Sequence, residues 1–274
     1  MLTPYPHIAT KNLRNLRSAL LLSLYCLLTT QYSPAQQRFE LSSSPDSWLV
    51  PLTIGISATG YLLHTDETRL SREDLAALDR NAIPAFDRPA AYFWSKDIKL
   101  ASDITLGLVV AAPVFILTEF SADYGDLVGM YAMTMALATS VPQYTKSLGR
   151  IRPLAYNEEA PDEERTRWDI TRSFFSGHAT MSTAAGVFVA TVYECYRPGS
   201  STAKALWIGG VGMGLTISTM RILSGMHFPS DVAVGMLVGA AIGYAVPQLH
   251  KRERNSLIGP QSAPPPIVVF RIPL

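Results

Sequence analysis

Three short polar stretches of the sequence hold residue types that could together bind and transfer an anionic group. Residues 146–153 read Lys-Ser-Leu-Gly-Arg-Ile-Arg-Pro, and residues 173–178 read Ser-Phe-Phe-Ser-Gly-His. The third stretch begins at Arg221 and carries His227 and then Asp231. Guanidinium groups grip two anion oxygens at once, and a histidine beside a carboxylate is a nucleophile or a proton carrier. The residue types therefore indicate group-transfer chemistry on a phosphate or an acyl group.

Taken one at a time, each stretch also has an ordinary structural explanation. A basic cluster at a helix end caps the helix or anchors it at a membrane surface. A Ser-Gly-His sequence ahead of a helix is typical of a turn with an N-cap. A histidine four residues before an aspartate, beside Pro229, is compatible with a local hydrogen bond and no catalysis. The combination and the order of the three stretches are what favour a functional site.

In this order the stretches resemble the signature of the type 2 phosphatidic acid phosphatase (PAP2) family, which is related to bacterial acid phosphatases and vanadium haloperoxidases. That signature has a Lys and an Arg-Pro, then Pro-Ser-Gly-His, then Ser-Arg followed by a His and an Asp. The chain departs from it at Phe175, where the family has Pro, and at Met220, where it has Ser. Neither position normally does chemistry, so the resemblance holds.

The first motif is one residue shorter than the family pattern, in which the Lys stands seven positions before the Arg. Lys146 stands six positions before Arg152, and Thr145 occupies the strict position. Six steps along a helix leave two side chains about 120° apart. We expect Gly149 to end the helix and let Lys146 swing back, and Arg150, one helical turn beyond Lys146, could share its role.

The resemblance implies a role for each residue of the signature. His227 is the expected nucleophile, Asp231 holds its other ring nitrogen, and His178 protonates the leaving oxygen and later activates water. Fixed positive donors are needed around a phosphoryl group in transfer, because its equatorial oxygens carry the negative charge. The expected phosphate-binding residues are Lys146, Arg152, Ser176, Gly177 and Arg221. No metal or other cofactor is implied, since basic side chains take the place of a metal.

Composition places the chain between a soluble domain and a protein that is nearly all membrane helix. Of its 274 residues, 48% are apolar and 16% are charged, whereas about a quarter is usual for the charged share of a soluble domain. The mean hydropathy of +0.16 is low for a chain made almost entirely of membrane helices. The formal net charge of +1 gives no argument for a nucleic-acid partner. A membrane bundle with sizeable polar loops fits best.

Six apolar segments predict an all-α fold, a bundle of about six helices that is embedded in a membrane. The segments are 48–63, 100–118, 126–144, 179–196, 205–220 and 231–247. Their lengths are at the lower edge for crossing a bilayer, and their many Gly and Ala residues would let helices pack closely. Ser71 and Asp74 also predict a capping box and a short surface helix, ended by Pro84 and Pro89. A soluble helical core is the alternative.

Four regions are predicted along the chain. Residues 1–35 have the basic start, short apolar run and small residues of a signal peptide, or they form an N-terminal anchor. Residues 36–97 are a linker with a peripheral helical region, 98–247 are the PAP2-like core, and 248–274 are a proline-rich tail. Cleavage of the signal would leave Cys195 as the single cysteine, so no intrachain disulfide is expected.

The expected location is the inner membrane of a bacterial cell envelope, with the active site facing the periplasm. The 197–204 loop carries Arg197 and Lys204 without acids, and the tail is basic after residue 250. The positive-inside rule places both in the cytoplasm and the 146–178 and 221–230 connections on the periplasmic side. With a cleaved signal, this orientation requires that segment 48–63 does not span. If that segment spans, the orientation inverts.

The function predicted from these features is hydrolysis of a phosphate monoester or pyrophosphate, of a lipid, through a phosphohistidine. The expected partners are a lipid phosphate substrate and the membrane, with no nucleic acid and no obligate protein partner. A soluble acid phosphatase or a haloperoxidase with the same fold is one alternative. A serine hydrolase built on Ser176, His227 and Asp231 is another, although no Gly-x-Ser-x-Gly elbow surrounds Ser176. A non-catalytic membrane protein or transporter is the third.

Overall fold

A computed structural model describes residues 38–41, 51–56, 58–59 and 69–251 of the chain. The predicted signal peptide or anchor, 1–35, and nearly all of the predicted tail lie outside these residues. The described part of the chain is all-α, as predicted. Its α-helices from residue 69 onward are α1 (Arg72–Ala76), α2 (Lys96–Ile116), α3 (Tyr124–Lys146), α4 (Asp162–Arg165), α5 (Gly177–Tyr196), α6 (Ser201–Leu223) and α7 (Pro229–Leu249).

The long helices coincide with the predicted apolar segments. Four of the six segments lie within α3, α5, α6 and α7, and segment 100–118 extends from α2 into the 3-10 turn that follows it. Residues 51–56 and 58–59 of the first segment are also helical. The predicted capping box is present, because the Ser71 hydroxyl accepts from the Asp74 N–H while the Asp74 carboxylate accepts from the Ser71 N–H. Helix α1 ends earlier than expected, at Ala76, well before the two prolines. The predicted loop between α3 and α5 contains the short helix α4.

Helix α5 occupies the centre of the bundle and packs against α2, α3, α6 and α7. Fourteen of its 20 residues are buried. Helix α7 approaches α5 closely at its glycines, and at the beginning of α5 a Cβ atom at Gly235 would lie 2.7 Å from the Ser176 carbonyl oxygen. Glycine at this position therefore sets the distance between the start of α5 and the start of α7, where two of the three motifs lie.

Within the part of the chain that the structure describes, three helices are long and apolar enough to cross a membrane. They are α2 together with the 3-10 turn that follows it (Lys96–Phe120), α6 (Ser201–Leu223) and α7 (Pro229–Leu249). Large apolar side chains on these helices point outward, among them Leu108, Phe115, Ile208 and Leu237, each more than two-thirds exposed. A soluble protein rarely leaves so many large apolar side chains in water along its helices. The bundle has the composition and the outer surface of a membrane protein.

The bundle has two chemically different ends. One, which we call the site end, contains the start of α2, the end of α3, the start of α5, the end of α6 and the start of α7. A small apolar cluster supports its loops: Leu75, Leu154, Ala155, Ile170 and Met226. The opposite end, the far end, contains the other termini of these helices and the aromatic residues Phe120, Tyr193 and Tyr196.

The chain ahead of α1 runs from the far end to the site end. The Arg38 N–H donates to Asp123 at 2.8 Å, and the buried Phe39 ring lies 5.7 Å from the Tyr196 ring, both at the far end. The hydroxyl of Thr59 contacts that of Tyr144, close to the end of α3. Residue 38 and the three motifs therefore lie at opposite ends of the bundle.

Candidate active site

The three motifs, which are far apart in the sequence, line one cavity of about 760 Å³ at the site end. Lys146 and Arg152 come from the end of α3 and the connection after it, Gly177 and His178 from the first turn of α5. Arg221 comes from the last turn of α6, and His227 from the connection between α6 and α7. Five of the eight predicted site residues are buried, and Lys146, Gly177 and His178 are half-buried. The folding of the bundle thus brings together residues that the sequence separates.

His227 is buried, and its two ring nitrogens have different neighbours. Nε2 lies 3.3 Å from Nη1 of Arg152, and Nδ1 lies 3.6 Å from Oδ2 of Asp231. A guanidinium can only donate, so Nε2 is the accepting nitrogen and the ring proton is assigned to Nδ1, on the side of Asp231. Burial lowers the pKa of His227 well below its usual value, and the nearby cations of Arg152 and Lys146 lower it further. At neutral pH the ring is therefore neutral, with the lone pair of Nε2 available.

Asp231 is fully buried at the first turn of α7 and accepts several hydrogen bonds. Its Oδ2 accepts from the Ser173 hydroxyl at 2.6 Å and from the Phe228 N–H at 2.9 Å. Its Oδ1 accepts from Arg150 at 2.5 Å. These donors fix the carboxylate with Oδ2 facing the imidazole of His227.

Arg152 lies in the connection after α3 and is held from three directions. It donates to the carbonyl oxygens of Asp169 and Met226, and its Nη2 forms a salt bridge of 3.0 Å with the Asp169 carboxylate. Burial lowers the pKa of Arg152, and Asp169 offsets part of that effect. Burial alone would raise the pKa of Asp169, but Arg152 and Arg167 hold it below its usual range. The guanidinium is therefore a fixed cation beside His227.

Asp103, on α2, joins the two remaining groups of the site. Its Oδ1 lies 2.8 Å from Nε2 of His178 and accepts from Nη1 of Arg221 at 2.9 Å. The Ser102 hydroxyl accepts from the same Arg221 nitrogen at 3.0 Å. Lys99 lies one turn earlier, with its ammonium 3.4 Å from the other Asp103 oxygen. A carboxylate thus aligns His178 and Arg221 on the wall of the cavity.

Lys146 lines the cavity and also holds the loop that leads into α5. Helix α3 ends at this residue, and Gly149 follows with φ +69°, the left-handed conformation expected of a glycine after a helix end. The Lys146 ammonium donates to the carbonyl oxygens of Phe175 at 2.7 Å and of Arg172 at 2.9 Å. Thr145, at the strict family position, bonds to Phe174 and Phe175 of the same loop. The shortened motif therefore keeps its cation at the cavity while both residues secure the second motif.

Ser176 and Gly177 begin α5 and differ in what they present. The Ser176 hydroxyl accepts from the Ala179 N–H at 3.3 Å, so it is the N-cap of the helix, and it is fully buried. Gly177 lies on the cavity, at a helix start where backbone N–H groups favour an anion. Among the described residues, no hydrogen bond joins the Ser176 hydroxyl to His227, and the hydroxyl that donates to the Asp231 carboxylate is that of Ser173 and not that of Ser176. The serine hydrolase triad considered above is therefore not assembled.

Sequence reasoning missed three carboxylates and assigned a different role to Arg150. Asp103 and Asp87 precede the family signature, and Asp169 lies in the connection between α3 and α5. Each is an isolated acid in its local sequence, without a motif to single it out. Arg150 does not line the cavity but pairs with Asp231 and Asp87. In the part of the chain that the structure describes, no group of three or more His, Cys, Asp or Glu is placed to hold a metal ion.

The comparisons with known proteins agree with the motifs. The family model of the PAP2 superfamily matches residues 123–255, a range that contains all three motifs. This match to residues 123–255 confirms the resemblance predicted from the signature. Two curated relatives, each a decaprenylphosphoryl-5-phosphoribose phosphatase of Mycobacterium tuberculosis (strains CDC 1551 / Oshkosh and ATCC 25618 / H37Rv), are 39% identical over 74 residues.

That alignment covers 27% of this chain and 35% of each relative, so the chain spans about a third of the length of the curated relatives it matches. Among solved structures, a transmembrane PAP2-type phosphatidylglycerolphosphate phosphatase from Bacillus subtilis aligns with a TM-score of 0.44 and 16% identity. The alignment covers 80% of this chain and all of that one.

Proposed function

We propose that this protein is a phosphatase that hydrolyses a lipid-linked phosphate monoester or pyrophosphate through a phosphohistidine on His227. The observation that carries the proposal is the convergence of His227, His178, Arg152 and Arg221 on one cavity. The expected nucleophile, His227, is neutral at neutral pH, and the guanidinium groups of Arg152 and Arg221 lie on the walls of the cavity. A phosphoryl group seated among them would have its negative oxygens opposite fixed cations.

In the first step, the Nε2 lone pair of His227 attacks phosphorus and the bond from phosphorus to the ester oxygen breaks. The leaving oxygen takes the proton of His178. Positive charge develops on the imidazole of His227, and the Asp231 carboxylate, 3.6 Å from Nδ1, stabilises it. Burial lowers the pKa of His178, whereas the negative charge of a bound phosphate and that of Asp103 both favour the protonated form that this step requires.

In the second step, water attacks the phosphorus of the phosphohistidine and the N–P bond breaks, so the electron pair returns to Nε2 of His227. His178, now neutral, takes a proton from the attacking water and is restored to its protonated form. Inorganic phosphate leaves the cavity. Arg152 and Arg221 keep their contacts with the transferring oxygens through both steps, which is the role their fixed positions allow.

Three features of the bundle support a lipid substrate. The candidate membrane helices carry exposed apolar side chains along their length, so the protein surface suits a bilayer. The cavity opens at the site end, where α2, α6 and α7 each have one terminus. Exposed aromatic residues Phe86, Tyr92 and Phe93 precede α2 at this end, and aromatic side chains are typical of the membrane–water interface. A lipid head group at the interface would lie level with the cavity.

The test is phosphate release by detergent-purified protein from a panel of phosphates. The panel contains phosphatidic acid, phosphatidylglycerol phosphate, an isoprenyl pyrophosphate, a polyprenyl-linked ribose 5-phosphate and a soluble aryl phosphate. We expect release from at least one lipid, its loss in His227→Ala, inhibition by orthovanadate and no loss in EDTA. Release from the soluble ester alone would contradict the lipid assignment. An inert wild type, or an active His227→Ala, would contradict the phosphatase assignment.

We also propose that the protein lies in a bacterial inner membrane with its site end in the periplasm. The basic residues Arg197 and Lys204 bracket the short loop at the far end. The test uses Glu163→Cys at the site end and Pro198→Cys at the far end, in a Cys26→Ser, Cys195→Ser background. A membrane-impermeant maleimide should label Glu163→Cys in spheroplasts and Pro198→Cys only after permeabilisation. The reverse pattern would place the site in the cytoplasm.

Residue 38 lies at the far end, so the predicted cleavage of a signal peptide and the predicted periplasmic site depend on each other. If the far end is cytoplasmic, residue 38 is cytoplasmic too, and cleavage of an export signal at residue 35 cannot accompany a periplasmic site. The N-terminal sequence of the purified protein distinguishes the two cases. A chain that starts near residue 36 would contradict the periplasmic site.

A further inference from the structure

Arg150 is a basic residue of the first motif that does not reach the cavity. Its guanidinium instead bridges two carboxylates, with Nη1 at 2.5 Å from Oδ1 of Asp231 and Nη2 at 2.7 Å from Oδ2 of Asp87. The ring of Phe228 lies under it, 4.4 Å from the guanidinium carbon. Asp231 is fully buried and Asp87 is nearly so, whereas about a quarter of the Arg150 side chain is exposed. Arg150 therefore does not extend its charge into water as a snorkelling surface cation does, but directs it at two buried carboxylates.

Ser230 closes the group into a ring. Its hydroxyl donates to Oδ2 of Asp87 at 2.7 Å and accepts from Nη1 of Arg150 at 2.8 Å. Its N–H donates to Oδ1 of Asp87 at 2.9 Å. Asp87 therefore grips both the guanidinium and the first turn of α7, the turn that carries Asp231. The carboxylate of Asp231 is thus fixed through its own helix as well as through its side chain.

Electrostatics explains why both Asp87 and Arg150 are needed. A lone cation 2.5 Å from Asp231 would neutralise the charge with which that carboxylate supports the imidazolium of His227. Asp87 balances the cation, so that the set Asp87, Arg150 and Asp231 keeps a net charge of −1. The position of Oδ2 is fixed by the ring, and its negative charge remains available to His227.

We propose that Arg150 and Asp87 are positioning residues that act on the reaction through Asp231. The proposal rests on the proposed function, since it concerns the same nucleophile. Asp87 lies outside residues 123–255, so the positioning of the catalytic carboxylate depends on a segment beyond the family match.

The experiment compares Arg150→Met, Arg150→Lys and Asp87→Asn with the wild type, with Arg80→Met as the matched control. Arg80 also lies at the site end, with a similar exposure, a carboxylate partner (Glu158) and an aromatic ring under its guanidinium (Tyr92). It does not contact Asp231. We expect kcat to fall about 10- to 100-fold in Arg150→Met and Asp87→Asn, with KM changed less than about threefold. Arg80→Met should keep its kcat.

Two further measurements separate positioning from folding. Lysine carries the charge but not the planar fork that reaches two carboxylates, so Arg150→Lys should fall between Arg150→Met and the wild type. In an Asp231→Asn background, Arg150→Met should change kcat less than about twofold, because a residue that acts through Asp231 has nothing left to act on. A merely structural residue would multiply the loss in that background, and this result would overturn the proposal.

A kcat within about twofold of the wild type in both Arg150→Met and Asp87→Asn would also overturn the proposal. His227→Ala, run beside these variants, tells the two failures apart. Loss of activity in His227→Ala supports the proposed function even when the Arg150 variants are fully active.

Discussion

The residues that would touch the phosphate and two of the carboxylates that organise them come from two different regions of the chain. The predicted phosphate-binding cations and both histidines lie within residues 123–255, the range that matches the PAP2 superfamily. Asp103 and Asp87, which hold His178, Arg221 and Arg150 in place, lie in the segment before it. Groups that contact a substrate recur as a motif, whereas the groups that position them depend on how each chain packs its neighbouring segment against the motif.

Replacing a cation of the matched region should give the largest effect. In Arg221→Lys, the planar fork that reaches Asp103 and the phosphate oxygens is lost although the charge is kept. We expect kcat/KM to fall about 10²-fold or more. The control is Arg197→Lys, which changes an exposed ion pair with Glu119 at the far end and should leave kcat/KM unchanged. Equal activity of Arg221→Lys and the wild type would mean that the guanidinium does not grip the transferring group.

Replacing the carboxylate outside the matched region should give a smaller and different effect. In Asp103→Asn, the partner that supports the protonated form of His178 is neutral, so we expect kcat to fall about tenfold. A negative charge is removed from an anion site at the same time, so inorganic phosphate should inhibit more strongly. Asp97→Asn, an exposed change earlier on the same helix, is the control. Weaker inhibition by phosphate in Asp103→Asn would contradict the assigned role.

The matched region and the segment before it should also have different effects on the pH dependence of kcat/KM. The pKa of His227 lies well below 6.5, so the nucleophile is neutral above that lowered pKa and protonated, hence inactive, below it. The acid limb of the pH profile should therefore lie below pH 6.5, and Asp103→Asn should leave this limb in place. The limb is measured as kcat/KM with two substrates whose phosphates ionise at different pH. A limb at or above pH 6.5 that is common to both substrates would contradict the environment described for His227.

Much of this molecule is predictable from its sequence, for identifiable physical reasons. The apolar runs predict the five long helices to within a few residues, because a membrane helix needs an uninterrupted apolar stretch. The three motifs predict the residues that meet at the cavity. The course of the connection after Arg152 could not be predicted from the sequence. Nor could the roles of Asp103 and Asp87, since the contacts of these two carboxylates with Arg221 and Arg150 join residues more than 60 positions apart in the chain. Burial of an acid depends on partners that no local pattern shows.

Arg150 illustrates the same limit within a motif. Its sequence position, one turn after Lys146, suggested a share in phosphate binding, whereas the structure pairs it with Asp231 and Asp87. Arg150 is directed away from the cavity because α3 ends at Lys146 and the turn at Gly149 redirects the chain before Arg150. A change of backbone direction over three residues thus separates a substrate-binding cation from a positioning one.

The most direct test of the central claim is to trap the covalent intermediate. Wild-type protein is mixed with a ³²P-labelled form of its preferred lipid phosphate, quenched within milliseconds under alkaline denaturing conditions that preserve phosphohistidine, and digested for mass spectrometry. We predict label on the peptide that contains His227 and none in His227→Gln. Turnover by the wild type without label on any histidine peptide, or label that persists in His227→Gln, would contradict the claim that His227 is the nucleophile.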